Sequence, residues 1–521
     1  MKEPRKILLA AGALALALAI GYPLFKHYQL KAAVEAYRRQ LRAQGEKLTI
    51  AELTPPPPTN GPNGAFALWS AAGQLGLLPD PPTMTLVAPG RARVAWVQAI
   101  LPTRATTNLW PQLAAAIETN RPVLAQLRQA LENPVVQFDL NYSLGLELPL
   151  PHLGPLERAA RWLAAAIALD LHEGRFTHAW ENLRAGTALV DHCGREPVLV
   201  SRLVRLVIAQ DMLNATWEAL QAPGWTEAQL AELQTAWAAP DFLDQVETSL
   251  AMDRAMDEQM FARCRDSYEE YQSLGVSFLA AMRSLDWAAY CEEFLKHPQA
   301  VFQRTQAGYL AWRGLWSYED ELAQAQLCQA AVASMRLAAT NRSFTAALRG
   351  FDAQWARVRQ RHPQDSGWFA QVFVARDDWI RVILLRLACV NIQRRLIVTA
   401  IALKRCQLRH GRYPDDLSAL VPEFLPAMPL DPMDGRPLRY RLHADGSFLL
   451  YSVGVDGVDN GGDPTLPAPA PSKPPVIGGF DPGDAGAWYR ARDAVWPQPA
   501  SAAEVAAWER TEARRHPLET P

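Results

Sequence analysis

The chain has 521 residues, of which 49% are hydrophobic and 20% charged, and its formal net charge is −2. That length exceeds what one compact core holds, so two or three domains are expected. The balanced charge supplies no electrostatic footprint for a nucleic-acid partner, and none is expected.

Residues 1–25 place Lys2, Arg5 and Lys6 ahead of a charge-free run over 7–25. At the rise of an α-helix that run spans roughly 28 Å, close to the hydrocarbon thickness of a bilayer. The segment predicts an uncleaved, single-pass transmembrane signal anchor in the inner (cytoplasmic) membrane. Ala17-Leu18-Ala19 offers a small-x-small cleavage site as the alternative. Basic residues also follow the run, at Lys26, Lys31, Arg38, Arg39 and Arg42, so their count alone does not fix the direction. The body is expected on the extracytoplasmic side.

Residues 26–59 read as a juxtamembrane helix, with Leu30, Val34, Tyr37 and Leu41 at helical spacing, followed by a stiff spacer at Pro55–Pro58 that would hold the body away from the membrane. A helical body is expected over 60–370. Within it Leu156, Ala160, Leu163, Ile167 and Leu171 form one apolar stripe, Gly174 breaks it, and Phe176, Ala179, Leu183 and Val190 begin another. The pattern predicts an antiparallel helix pair of tetratricopeptide shape, without recurrence at that repeat's period. Pro197 opens a third helix, and Thr226-Glu227-Ala228-Gln229 is a capping-box signature for the next. The long helix expected over 377–409 carries Arg386, Arg394, Arg395 and Lys404, which marks it as packed against protein and not as a second span.

Catalytic signals are sparse. The six cysteines are widely spaced with no CxxC pair, so buried free thiols are expected, and the 17 tryptophans are expected as helix-packing anchors. His152, Asp170, His172, Glu173, His178, Asp191, His192 and Cys193 form the densest group of ligand-type residues, but HExxH spacing is absent. Asp253 and Asp257 share a helix face with Asp244, Glu247 and Glu258 nearby, a pattern expected of a solvated surface. Ser201 lacks a GxSxG elbow, and no phosphate-binding glycine loop occurs.

Order as well as composition carries information only in residues 409–463, RHGRYPDDLSALVPEFLPAMPLDPMDGRPLRYRLHADGSFLLYSVGVDGVDNGGD. Leu438, Tyr440 and Leu442 alternate with Arg439, Arg441 and His443, Asp445-Gly446 supplies a tight turn, and 447–453 returns as a second strand. A helix leading into HGRYP, then MPLDPMDG, an RY strand and LYSVGVDG resembles the globular end of the major pseudopilin of type II secretion systems, over roughly 396–496. The resemblance implies a calcium-binding loop, to which the matched motif contributes Asp456 and the aspartate ahead of a tryptophan contributes Asp493. Calcium takes six to eight oxygen ligands, and Asp459, Asp463 and loop carbonyls could add several. Arg492 and the insertion PTLPAPAPSKPP depart from the family pattern, and the amino terminus lacks the prepilin cleavage signature. The larger part of the chain resembles uncharacterised membrane-anchored bacterial envelope proteins.

Together these features predict a mainly α chain: the anchor, a multi-helix body, a small α+β pseudopilin-like module within 371–500 and a tail helix over 501–521. The expected role is a scaffold or binding component that meets other envelope proteins. The rival is a hydrolase with its site in the helical body near 172–193.

Overall fold

The computed structural model describes residues 3–56, 63–78, 86–88, 91–92, 110–222, 224–274, 305–361, 375–465, 491–496 and 498–499. The second half of the proline run, Cys291, the proline-rich insertion and the tail expected over 501–521 lie outside the described residues. The chain is mainly helical.

The body is built on the predicted helix pair, α5 (Leu153–His172) and α6 (Phe176–His192). Gly174 makes the turn at φ 74°, a left-handed conformation that glycine adopts without steric cost. Leu156, Ala160, Leu163, Ile167 and Leu171 of α5 and Ala179, Leu183 and Val190 of α6 are all buried. Both helices pack against α7 (Leu199–Gln221), while α3 (Ala65–Gln74) and α4 (Trp110–Leu131) lie on α5. Next, α8 (Glu227–Ala238) begins with the expected capping box between Thr226 and Gln229. Trp217 and Trp237 are almost fully buried, and Trp237 donates its indole N–H to Thr216 Oγ1 at 3.0 Å. Each such aromatic contributes on the order of 2 kcal/mol through burial alone. The five described cysteines are buried free thiols.

A second layer contains α9 (Val246–Asp266), the short α10 (Tyr268–Leu274), α11 (Gln306–Leu315), α12 (Ser317–Asn341) and α13 (Phe344–Arg361). The first helix of the chain, α1 (Glu3–Ala43), runs without a break and docks on α11 and α12, burying Val34 and Leu41. Lys26 is 3.1 Å from Glu319 and Arg38 is 2.6 Å from Glu321. The body therefore meets α1 well before the prolines, which follow the short helix α2 (Ile50–Leu53). This corrects the expected spacer: the proline run does not separate the juxtamembrane helix from the body. Among the described residues no helix is long and apolar enough to cross a membrane. The side chains of 1–20, which carry most of the expected anchor, lie outside the described set.

The long helix α14 (Ala375–His410) packs on α7 and α8 and also on the carboxy-terminal sheet. Arg394 donates to the carbonyls of Trp237 and Ala238 at the end of α8, which satisfies acceptors that the helix leaves open. Earlier in the chain β1 (Leu86–Ala88) pairs antiparallel with β2 (Arg91–Ala92). The carboxy-terminal sheet comprises β3 (Arg439–Leu442), β4 (Phe448–Ser452) and β5 (Ala494–Val495), all antiparallel in the order β3-β4-β5. Arg439 faces Tyr451 and Leu442 faces Phe448, so the hairpin turns at Asp445-Gly446 as its sequence predicts. The corner between α12 and α13 clasps this module, with Ser343 Oγ donating to Met433 O at 2.6 Å and Phe344 N to Pro432 O at 2.9 Å. One hydrophobic cluster runs from Ala65 through α14 to Trp496.

Candidate functional site

The glycine-rich segment after β4 holds three of the four predicted calcium ligands, and β5 brings the fourth. Asp493 is fully buried beside this loop. Its Oδ2 accepts from the backbone N–H of Gly462 at 2.7 Å and of Asp463 at 2.9 Å, and its Oδ1 from Asn460 at 3.3 Å. In return, the Asp493 N–H donates to the Asp463 carbonyl at 2.9 Å. Burial pushes this carboxyl above the ordinary aspartate value, against the lowering effect of the three N–H donors. The carboxylate thus fills a nest of backbone N–H groups and latches β5 onto the loop.

The other three candidates face different partners. Asp459 accepts from Tyr451 Oη at 3.0 Å, from Gly461 N and from Arg439 Nε at 3.2 Å. Asp456 turns back on Val458 N and Asn460 Nδ2, and Asp463 caps Thr465 and lies 3.6 Å from Arg492. Asp463 and Asp493 are brought together through backbone groups, whereas Asp456 and Asp459 are held by local turns and an arginine. Among the described residues no group of three or more His, Cys, Asp or Glu is placed to hold a metal ion. As placed, Asp459 and Asp493 hold guanidinium and N–H partners that a calcium ion would have to displace.

The pivot of this region is a residue to which the sequence assigned no role. Asp431, in MPLDPMDG, is fully buried and receives Ser452 Oγ at 2.7 Å, Val453 N and Met433 N at 2.9 Å each, and Arg439 Nη1 at 2.9 Å. Arg439 also reaches Asp434 at 2.6 Å, which outweighs that carboxyl's burial and holds it below its usual value. Three acids and one arginine therefore tie the LDPMDG turn, both strands of the hairpin and the glycine loop together.

The rival site disperses. His172 ends α5 and stacks on Trp110, with ring centroids 3.8 Å apart, while His192 ends α6 and its Nε2 lies 3.3 Å from the Leu131 carbonyl. The antiparallel pairing puts these histidines at opposite ends of a helix roughly 25 Å long. His178 is exposed near the turn. Asp170 pairs with Arg175 at 2.7 Å and Asn182 at 3.0 Å, a hairpin clamp. A contact that spacing did not reveal is buried at the far end: His152 Nε2 lies 3.0 Å from Glu196 Oε1 and the ring stacks on Phe138. Cys193 is completely buried, and that burial pushes its thiol far above the ordinary cysteine value, which leaves it inert.

Of the carboxylates on and just before α9 expected in solvent, Asp257 is instead enclosed, whereas Asp244 is exposed and Glu247, Asp253 and Glu258 are half-buried. Arg254 and Asp257 are buried, Gln324 donates to Asp257 at 2.6 Å, and Arg254 Nη2 donates to the Lys47 carbonyl at 2.7 Å. Arg38 meets Glu258 at 3.0 Å, Arg265 meets Glu321 at 2.6 Å, and Arg336 meets Glu46 at 2.6 Å. The physical reason is that α1 and α12 close over α9 and match its charges from distant sequence. Beside this joint lies a groove of about 660 Å³, lined by Arg38, Arg39, Arg42, Leu48, Ile50 and Glu258 among others. Two of its arginines, Arg38 and Arg42, are committed to Glu52, Glu258 and Glu321. No family model, no curated protein and no solved structure matches the chain.

Proposed function

We propose that this chain is a single-pass component of the bacterial inner membrane whose body and pseudopilin-like module form a rigid extracytoplasmic scaffold for other envelope proteins. The observation that carries the reading is the continuity of α1, one helix from Glu3 to Ala43. Its sequence supplies a charge-free run over 7–25, and its second half is bolted to α9 and α12 by the ion pairs of Arg38 and Lys26. A helix joined to its body in this way transmits orientation from the bilayer to the body, as a scaffold requires and a flexible tether does not. The test is in-cell crosslinking of the full chain followed by membrane extraction at alkaline pH. The expected result is a chain that stays with the membrane pellet and carries crosslinked envelope proteins. A chain released into the supernatant would overturn the anchor, and a retained chain with no crosslinked partner would overturn the scaffold.

A further inference from the structure

Four large apolar or aromatic side chains of α1, Tyr22, Leu24, Phe25 and Tyr28, are between 54% and 68% exposed. Tyr22, Leu24 and Phe25 close the apolar run and Tyr28 lies just beyond it, where aromatic side chains of a spanning helix meet the headgroup layer. At this same level the body begins. Lys26 pairs with Glu319 at 3.1 Å and lies 5.7 Å from the Trp316 ring centroid, and the His27 ring stands 5.1 Å from that of Tyr318. The junction of α11 and α12 is therefore fixed within one helical turn of residue 25, where the charge-free run stops.

The helix that leads into this junction is amphipathic. Tyr309 and Trp312 of α11 are buried in the body, whereas Leu310 is 58% exposed and Arg313 is exposed beside it. A leucine and an arginine on the outer face of a short helix suit an interfacial position, with the leucine towards the acyl boundary and the guanidinium among headgroups. Lys26, the basic residue nearest the run, is already satisfied by Glu319, so the contact relies on apolar and aromatic groups with one arginine.

We propose that the α11–α12 corner docks directly on the lipid surface, so that the body lies against the bilayer and is not held off it. This rests on the anchor reading above. The experiment uses the full chain in vesicles of phosphatidylcholine and phosphatidylglycerol, carrying Cys291→Ser and a nitroxide at either Leu310→Cys or Val458→Cys. Both labelled positions are exposed, so folding is checked by circular dichroism and is expected to survive. The ratio of oxygen to nickel-chelate accessibility is expected to be several-fold higher at 310 than at 458. Flotation on a density gradient reads the anchor separately. Vesicle-bound protein with equal, water-like ratios at both positions overturns the docking and leaves the anchor standing. Protein that fails to float overturns the anchor and the docking with it.

Discussion

Asp431 shows how one buried carboxylate organises a module. It has three neutral donors and a guanidinium around two oxygens, and its position is fully buried. Removing it strands three protein donors and takes one of three acidic partners from Arg439, so Asp431→Ala is expected to cost about 3 kcal/mol, towards the low end for a broken buried pair because Arg439 keeps Asp434 and Asp459. The midpoint of urea unfolding reads this, and a change under about 0.5 kcal/mol would contradict the network. Asp493 gives a sharper test, because its carboxylate is satisfied by N–H groups without any ion. Asp493→Ala is expected to lower the melting temperature equally in calcium and in a chelator. A loss seen only with calcium would restore the ion site that the resemblance implies. The pH dependence belongs to Glu46. Burial alone would raise its carboxyl, but hydrogen bonds from Arg336 and Gln329 outweigh it and hold the group below its ordinary value. A carboxyl depressed in the folded state contributes stability that is fully present above its unfolded value, about 4.3, and is lost as pH falls through the lower folded value. The urea midpoint should thus fall on acidification below about pH 4.3 more steeply for the parent chain than for Glu46→Gln.

At the scale of elements, the joint between α1 and the body depends on Glu321, which is almost fully buried and takes both Arg38 and Arg265 at 2.6 Å. Glu321→Gln leaves two guanidiniums facing an amide, and a loss of about 3 kcal/mol is expected. The loss should be local: trypsin is expected to cut near Arg42 and Lys47 in the variant far faster than in the parent chain, with the fragments around α5 to α8 unchanged. Equal cleavage rates would show that the ion pairs do not hold α1. This joint also marks where the sequence stopped being legible. The α5–α6 hairpin, the Thr226 capping box and the Asp445-Gly446 turn were readable because their causes lie within a few residues: apolar spacing, a side chain three positions from its N–H, a glycine at φ 82°. Arg38 and Glu321 are 283 positions apart, so no local pattern reveals that they meet. The same reason hid the burial of Arg254 and Asp257, whose alternation with polar residues has the pattern of a solvated face. Asp431 was hidden differently: its motif was visible, but its role depends on Ser452 and Arg439 converging after the hairpin forms.

For the whole molecule, the question is whether the carboxy-terminal module is a separate unit attached to the helical body. The sequence suggests a boundary near 370, because the module's motifs cluster beyond it. In the structure α14 packs with α7 and α8 at one level and with β4 at another, and its buried residues include Ile392, Leu396 and Ile401. Gln234 of α8 donates to the Phe424 carbonyl at 2.6 Å, and the α12–α13 corner closes on Pro432 and Met433. A module cut out from 375 onward would expose this face of α14 to water, at about 25 cal/mol for each Å² of apolar surface, and would lose the clasp as well. It is therefore expected to lack a cooperative transition alone. In the full chain, the amides of α7 and of β4 should become exchangeable at the same urea concentration, because opening either requires separating the shared core. Pulsed hydrogen exchange with mass spectrometry reads both segments in one sample. If β4 opened at clearly lower urea while α7 stayed protected, the module would be an independent unit, and the shared helix would be a contact between two cores.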